Sequence, residues 1–340
     1  MCAEPTTSEA ARIEVDDASR RDDSDADSTI ESQISVYTAS LTSSVVDYPY
    51  EHGRRYHAFR GGSYILPNDE TEMDRLDLNH ALMTKVIGNK LYLAPIAEKA
   101  VQRVLDIGTG TGIWAIEMGD THPNAEILGN DLSPIQPHWI PPNVKFEVDD
   151  VESEWMHNAP FDFIFCRYMT CCILDWPKLT KQVYDNLAPG GWAEFQDYDL
   201  QYYSDDGTLT EKHSTLKWIN TLLGAARQLK REPCPGPLQK DWVKDAGFVN
   251  VKHQVFKIPI GPWAKDARLK DLGMCNLAQT LEGLEGFSLR LFCGVLNWPE
   301  EEVLVLLTKV RKELKNGDFH GIFNFHVTYG QKPSETDERE

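Results

Sequence analysis

From Val101 onward, short apolar runs alternate with longer segments whose apolar residues recur at helical spacing. Such alternation predicts a parallel sheet joined by crossover helices. Seven runs read as strands: 101–107 (VQRVLDI), 125–130 (AEILGN), 144–148 (VKFEV), 161–167 (FDFIFCR), 192–196 (WAEFQ), 249–258 (VNVKHQVFKI) and 321–330 (GIFNFHVTYG). A helix opens at Gly112 after the first strand. A second, WPKLTKQVYDNL, stops at Ala-Pro-Gly-Gly, and a third near 238–246 stops at Gly247. Between strands six and seven lies a helix-rich insertion, about 259–318, containing LAQTLEGLEGFSLRLF and WPEEEVLVLLTKVRKELK. The second of these carries an apolar stripe at 303, 306, 307, 310 and 314. It reads both as a cover for the sheet and as a lid over a pocket at the strand ends, where open α/β sheets bind ligands.

The turn after the first strand, DIGTGTG, sets an acid, Asp106, before glycines at 108, 110 and 112. A phosphate-binding P-loop needs a Lys after its last glycine, and Ile113 and Trp114 stand there instead. In a dinucleotide fingerprint the third glycine comes one position later, and Asp106 would repel a pyrophosphate. S-adenosylmethionine reverses that demand: it carries a sulfonium and an ammonium and no phosphate, so a nearby carboxylate stabilises it. Asp131, ending the second strand, can accept both ribose hydroxyls. Asp150, after the third, can accept from an adenine amine, with the Val151 amide near a ring nitrogen. One glycine turn is weak support; three acids at the ends of three successive strands make it strong.

Composition narrows the partners. The formal net charge of the 340 residues is -19, which argues against a nucleic-acid surface and lends none to a membrane one. Residues 1–35 hold ten Asp or Glu against three Arg, with no aromatic residue. That segment is too poor in apolar surface to fold, and 1–45 is expected to be a disordered acidic tail. The folded domain is expected over 46–333, followed by a short tail, 334–340. No secretory signal or spanning segment is read in the sequence. Seven cysteines without a C-x-x-C pair argue against zinc and against a disulfide framework. A cytoplasmic protein with reduced thiols and no metal is expected, a nuclear one being the alternative.

The stretches DIGTGTGIWAIE, NDLSPIQPHWIPPNVKFEVDD and DWPKLTKQVYDNLAPGGWAEFQD resemble the LaeA-like methyltransferases of filamentous fungi. So do GRRYHAFRGGSYILPNDETEMDRLDLNH upstream and NLAQTLEGLEGFSLRLFCGVLNWPEEEV downstream, which extends the resemblance from about Tyr48 to Pro333. It implies an α/β fold of class I: a Rossmann-like seven-stranded sheet with the helical insertion as lid. It also implies S-adenosylmethionine as cofactor and Gly108, Gly110, Asp131 and Asp150 as its contacts.

Methyl transfer chiefly needs alignment, with a base only where the acceptor must lose a proton. No His–Asp pair stands out. Arg167 and Tyr168 follow the fourth strand, beside the expected methyl group, and Tyr168 can hold an acceptor by its hydroxyl. Past the fifth strand, Asp197 and Tyr198 are expected to point into the crevice; Tyr168 and Asp197 are the candidate catalytic residues. In RRYHAFRGGSYILPND, Tyr56 and Tyr64 either cover the cofactor or anchor the N-terminal helices, and Tyr64 is kept as a cofactor candidate. His57, His80, His213 and His253 read as structural or surface residues. In the insertion, half of Trp263, Met274, Leu277, Leu281, Phe287, Leu291 and Phe292 should face an enclosed acceptor cavity, Phe287 or Phe292 foremost. Three functions compete: a tailoring enzyme that methylates O or N of a fungal secondary metabolite, a nuclear regulator acting through protein partners, and a methyltransferase fold kept only for binding.

Overall fold

The computed structural model describes residues 47–61, 64–96 and 101–334. The expected acidic tail and nearly all of the expected C-terminal tail lie outside them. A two-stranded hairpin, β1 (Tyr50–Glu51) and β2 (Arg54–Arg55), leads into helix α1 (Glu70–Val86). Then follow β3 (Arg103–Ile107), α2 (Ile113–Thr121), β4 (Glu126–Asp131), β5 (Val144–Val148), β6 (Phe161–Arg167), α3 (Trp176–Asn186) and β7 (Leu187–Tyr203). The last third holds α4 (Ser214–Gln228), α5 (Gln239–Asp245), β8 (Val249–Pro259), α6 (Ala267–Gly294), α7 (Glu300–Asn316) and β9 (Ile322–Gln331). Local chemistry sets several boundaries. Asp69, Asp175 and Asp266 cap α1, α3 and α6 by accepting backbone amides of their first turns, and left-handed Gly317 ends α7.

The seven long strands form one sheet in the order β5-β4-β3-β6-β7-β9-β8. β3 pairs in parallel with β4 and with β6, while β9 is antiparallel to both neighbours, so the seven-stranded sheet is mixed. The insertion supplies the reason. A single crossover helix carries the chain to the far end of a sheet, whereas two helices in succession return it to the end it left. α6 and α7 are such a pair, and Ile322 opens β9 directly opposite Pro259, the last residue of β8.

One departure from the sequence expectation is β7, which runs unbroken to Tyr203 rather than ending at 196. Another is α4, in a stretch where the sequence pattern gave no element. Its Trp218, Ile219 and Leu223 pack with Leu82 and Met83 of α1, Leu284 and Phe292 of α6, and Val303 and Leu307 of α7. These helices form a cap with its own core, resting on Ile258, Phe323 and Phe325 of β8 and β9. Two further clusters flank the sheet: Leu179, Val183 and Val243 under α3 and α5, and Trp114, Met118 and Ala115 on α2. Trp114 lies flat on Phe165 of β6, ring centroids 3.9 Å apart, and so anchors α2 to the strand that ends in the site. Among the described residues, no helix is long and apolar enough to cross a membrane.

Candidate functional site

The carboxyl ends of β3, β4 and β6 open into a cleft of about 1150 Å³ of atom-free space, its mouth included. The turn after β3 is built for close approach. Gly108 has φ 64°, and a Cβ there would collide with the thioether of Met169. Gly112 has φ 82°, and its Cβ would lie 2.5 Å from Phe146. Only glycine meets both conditions at either position. The Thr109 hydroxyl donates to Asp106 Oδ2 (2.6 Å), and the Gly110 amide donates to Asp131 Oδ2 (2.9 Å). Loop and acids are thus tied into one frame.

All seven cofactor candidates, Tyr64, Asp106, Gly108, Gly110, Asp131, Asp150 and Val151, line this cleft, and Tyr168 does too. Burial pushes the Asp106 carboxyl up to about 7, against the lowering effect of the Thr109 hydroxyl and of Arg167. Burial also raises Asp131, although amides of Gly110 and Ser133 stabilise its anion. The Asp131 carboxylate accepts the amides of Gly110 (Oδ2, 2.9 Å), Ser133 (Oδ1, 3.0 Å) and Leu132, and of its four acceptor positions one is left for a ligand hydroxyl. Asp150 is more heavily engaged: Oδ1 accepts the Glu152 amide, and Arg60 pairs with Oδ2 at 2.7 Å. Val151 is pinned through its carbonyl by Trp155 and Gln182. Tyr64 and Tyr56 divide the two roles expected of them: Tyr64 lines the cleft, while Tyr56 is fully buried beneath the Arg290 guanidinium, 4.4 Å from its ring centre.

Asp197 does not enter the cleft. β7 continues past it, so the residue stands within a strand, buried, not on a loop leading into the crevice. Its carboxylate accepts the Met169 amide (2.9 Å), the Thr170 hydroxyl and the Tyr198 amide (2.8 Å). It therefore holds the loop after β6 in place, and burial pushes it up to about 7. Glu194 also points away from the cleft, accepting the Leu93 and Ala94 amides at 2.7 and 2.5 Å.

His80, expected from the sequence to be a structural or surface residue, is buried and also lines the cleft. Its Nδ1 accepts from Arg167 Nη2 (2.6 Å), and its Nε2 lies 3.1 Å from Glu117 Oε2. Burial and the adjacent guanidinium push its pKa down to about 3, so the ring is neutral. A histidine one α-helix away from the glycine turn has no fixed spacing to it, which left no signal to read.

A second, apolar chamber of about 600 Å³, mouth included, lies under the helical cap. Tyr168 lines both spaces and so forms their shared wall. The chamber's aromatic lining is Tyr168, Tyr198, Tyr202, Trp218, Phe287 and Phe323. No Asp, Glu, Lys, Arg or His is among the residues that line it. Its wall is braced from behind by Arg75, which is fully buried, paired bidentately with Glu72 (2.6 and 2.9 Å), and 5.4 and 4.8 Å from the ring centres of Tyr168 and Phe287. Tyr168 itself has φ 58°, a strained conformation for a tyrosine, of the kind that collects at functional positions. Of the insertion residues expected to face a cavity, Phe287 and Leu291 do. Phe292 instead is wholly buried in the cap core, Met274 is half exposed, and Trp263 donates to Gly321 O at 3.3 Å. The lining residue Leu291 and the core residue Phe292 are neighbours on one helix, and an apolar run does not distinguish the two faces.

Residues 50–253 match a family described as a methyltransferase domain. Over 86 % of this chain and 91 % of the relative, the sequence is 50 % identical to the methyltransferase pytC of Aspergillus terreus. It is 36 % identical to the secondary metabolism regulator LAE1 of Cochliobolus heterostrophus, over 84 % of this chain and 95 % of that one. Among solved structures, phosphoethanolamine N-methyltransferase 2 of Haemonchus contortus in complex with S-adenosyl-L-methionine matches 81 % of this chain and 55 % of its own, with 18 % identity and a TM-score of 0.44. The chain belongs to the methyltransferase-domain family, in its LaeA-like group of fungal proteins with the class I fold.

Proposed function

We propose that this methyltransferase binds S-adenosylmethionine in the acid-bearing cleft and methylates an uncharged, mostly apolar small molecule seated in the chamber behind Tyr168. The observation that carries this reading is the junction itself: one strained tyrosine separates a cleft rich in acids from an aromatic chamber with no ionised side chain. The cleft suits the cofactor. Its glycine turn lets the backbone come close, Asp131 keeps an acceptor position for a ribose hydroxyl, and Asp106 offers negative charge to a cation. The bound cofactor would supply a methyl group activated by its sulfonium leaving group. The chain's task is then to align the acceptor and exclude water, and alignment of this kind is worth ~7–11 kcal/mol of barrier. Tyr168 stays a neutral hydroxyl, since burial pushes it up to about 12, and so it positions the acceptor rather than removing its proton. With no base in the lining, the reacting atom is an easily ionised hydroxyl or an uncharged amine.

A tailoring role fits the chamber better than a regulatory one, because its lining is mainly rings and aliphatic chains with no ionised side chain, which suits an apolar small molecule. The pytC relative, named a methyltransferase, supports the same direction. Deleting the gene in its host and profiling metabolites tests the proposal. Loss of one methylated compound with accumulation of its unmethylated precursor is expected. A broad loss of unrelated metabolites with their transcripts would establish the regulator instead.

A further inference from the structure

We propose that Arg167 holds the carboxylate at the amino-acid end of the cofactor, and that His80 is the positioning residue that aims it. The inference rests on the cofactor reading above and extends it to a residue at the end of β6. Arg167 lines the cleft together with Asp106 and Gly108. Its Nη2 donates to His80 Nδ1 at 2.6 Å, and its guanidinium carbon lies 5.6 Å from the Phe165 ring centre. Its Nη1, by contrast, is enclosed and has no hydrogen-bond partner. No carboxylate among the described residues forms an ion pair with it, although Asp106, Glu117 and Glu194 all act on it from a distance.

An enclosed cationic N–H without an acceptor is costly unless a ligand supplies one. The group that answers it must be an anion that reaches the guanidinium from the cleft at the carboxyl ends of β3 and β6. Asp106 shares the same cleft, so the site presents a carboxylate and an unsatisfied guanidinium together. That pairing matches an α-amino-acid zwitterion: its ammonium turns to Asp106 and its carboxylate to Arg167. The cofactor has such an end. Within the cleft His80 fixes which nitrogen is left over, because its neutral ring accepts from Nη2 and sits against Glu117 on the other side, 3.1 Å away.

Two ligands separate this assignment from cofactor binding in general. S-adenosylhomocysteine carries the amino-acid end; 5′-methylthioadenosine shares the adenosine and thioether and lacks it. Calorimetric titration of both into wild type and Arg167→Met is expected to show S-adenosylhomocysteine weakened ~10- to 100-fold, as for loss of a charged hydrogen bond. Affinity for 5′-methylthioadenosine should stay within about twofold, which also certifies that the cleft is intact. His80→Phe should weaken S-adenosylhomocysteine selectively, and His80→Asn, with an acceptor oxygen near the place of Nδ1, should restore part of the loss. Arg167→Lys keeps the buried charge and guards against a collapsed site. Equal weakening of both ligands in both Arg167 variants, or unchanged affinity for S-adenosylhomocysteine, overturns the assignment. A wild-type protein that binds neither ligand overturns the cofactor reading with it.

Discussion

The cleft and the chamber share a wall at Tyr168 and obey opposite rules. The cleft is made of turns at strand ends, and it sets carboxylates, backbone amides and one guanidinium among apolar side chains such as Leu76, Trp114, Leu132 and Ile173. The chamber is made of helix faces and the far ends of β7 and β9, and its contacts are rings and aliphatic chains. A ligand in the first is recognised by where single polar atoms stand; a ligand in the second is recognised by shape. The first site is therefore sensitive to charge and pH, and the second to volume.

Breaking that contrast should have its largest effect in the cap. Phe292→Ala removes a wholly buried ring from the cap core and should cost ~3–5 kcal/mol of stability in denaturant titrations. Phe287→Ala, five residues earlier and lining the chamber, should cost less stability and instead reduce the methylated product in a complemented deletion strain. If the two variants proved alike in both assays, the chamber would be ordinary core.

In the cleft, Asp131→Ala should weaken S-adenosylhomocysteine by ~1.5–3 kcal/mol, the range for charged hydrogen bonds, and should also lower the melting temperature, because the Gly110 and Ser133 amides lose their acceptor. Calorimetry giving equal affinities would remove Asp131 from the site.

A smaller effect distinguishes the two spaces by pH. Asp106, pushed up to about 7 by burial, is mostly protonated at pH 6 and mostly ionised at pH 8. A ligand ammonium favours the ionised form, so affinity for S-adenosylhomocysteine should fall as pH drops through 7. The limit is about tenfold per unit, ~1.4 kcal/mol. Asp106→Asn should flatten the profile, and 5′-methylthioadenosine should be flat throughout. Smallest of all is Tyr168→Phe, which keeps the wall and removes one hydroxyl. Product formation should fall by the equivalent of ~0.5–1.5 kcal/mol with unchanged cofactor affinity. An unaffected product level would leave Tyr168 as wall alone.

The same contrast explains what could be read from the sequence. The glycine turn, Asp131 and Asp150 are bound to strand ends at nearly fixed offsets, so periodicity and turn chemistry placed them together. The strands followed their apolar runs for the same reason, apart from β7. There WAEFQ is continuous with polar residues whose strand pairing comes from β9, beyond any local window. His80 and the α1 helix meet the cleft only through tertiary packing. Phe287 and Phe292 are both apolar residues of one helix, and nothing local to the chain says which of them faces a void.

The stem of the insertion has a bearing on how such proteins diversify. Pro259 and Ile322 face each other across β8 and β9, the Ile260 amide donates to Gly321 O at 2.9 Å, and the Gly261 amide to Gly273 O at 3.1 Å. Everything between leaves and re-enters the sheet through one sealed gate. Helices there can exchange residues on the chamber side or lengthen, provided they keep their packing on α1 and α4, while the strands keep their register and the glycine turn its geometry. Selection can thus explore new acceptors on one side of the molecule without renegotiating the methyl donor on the other.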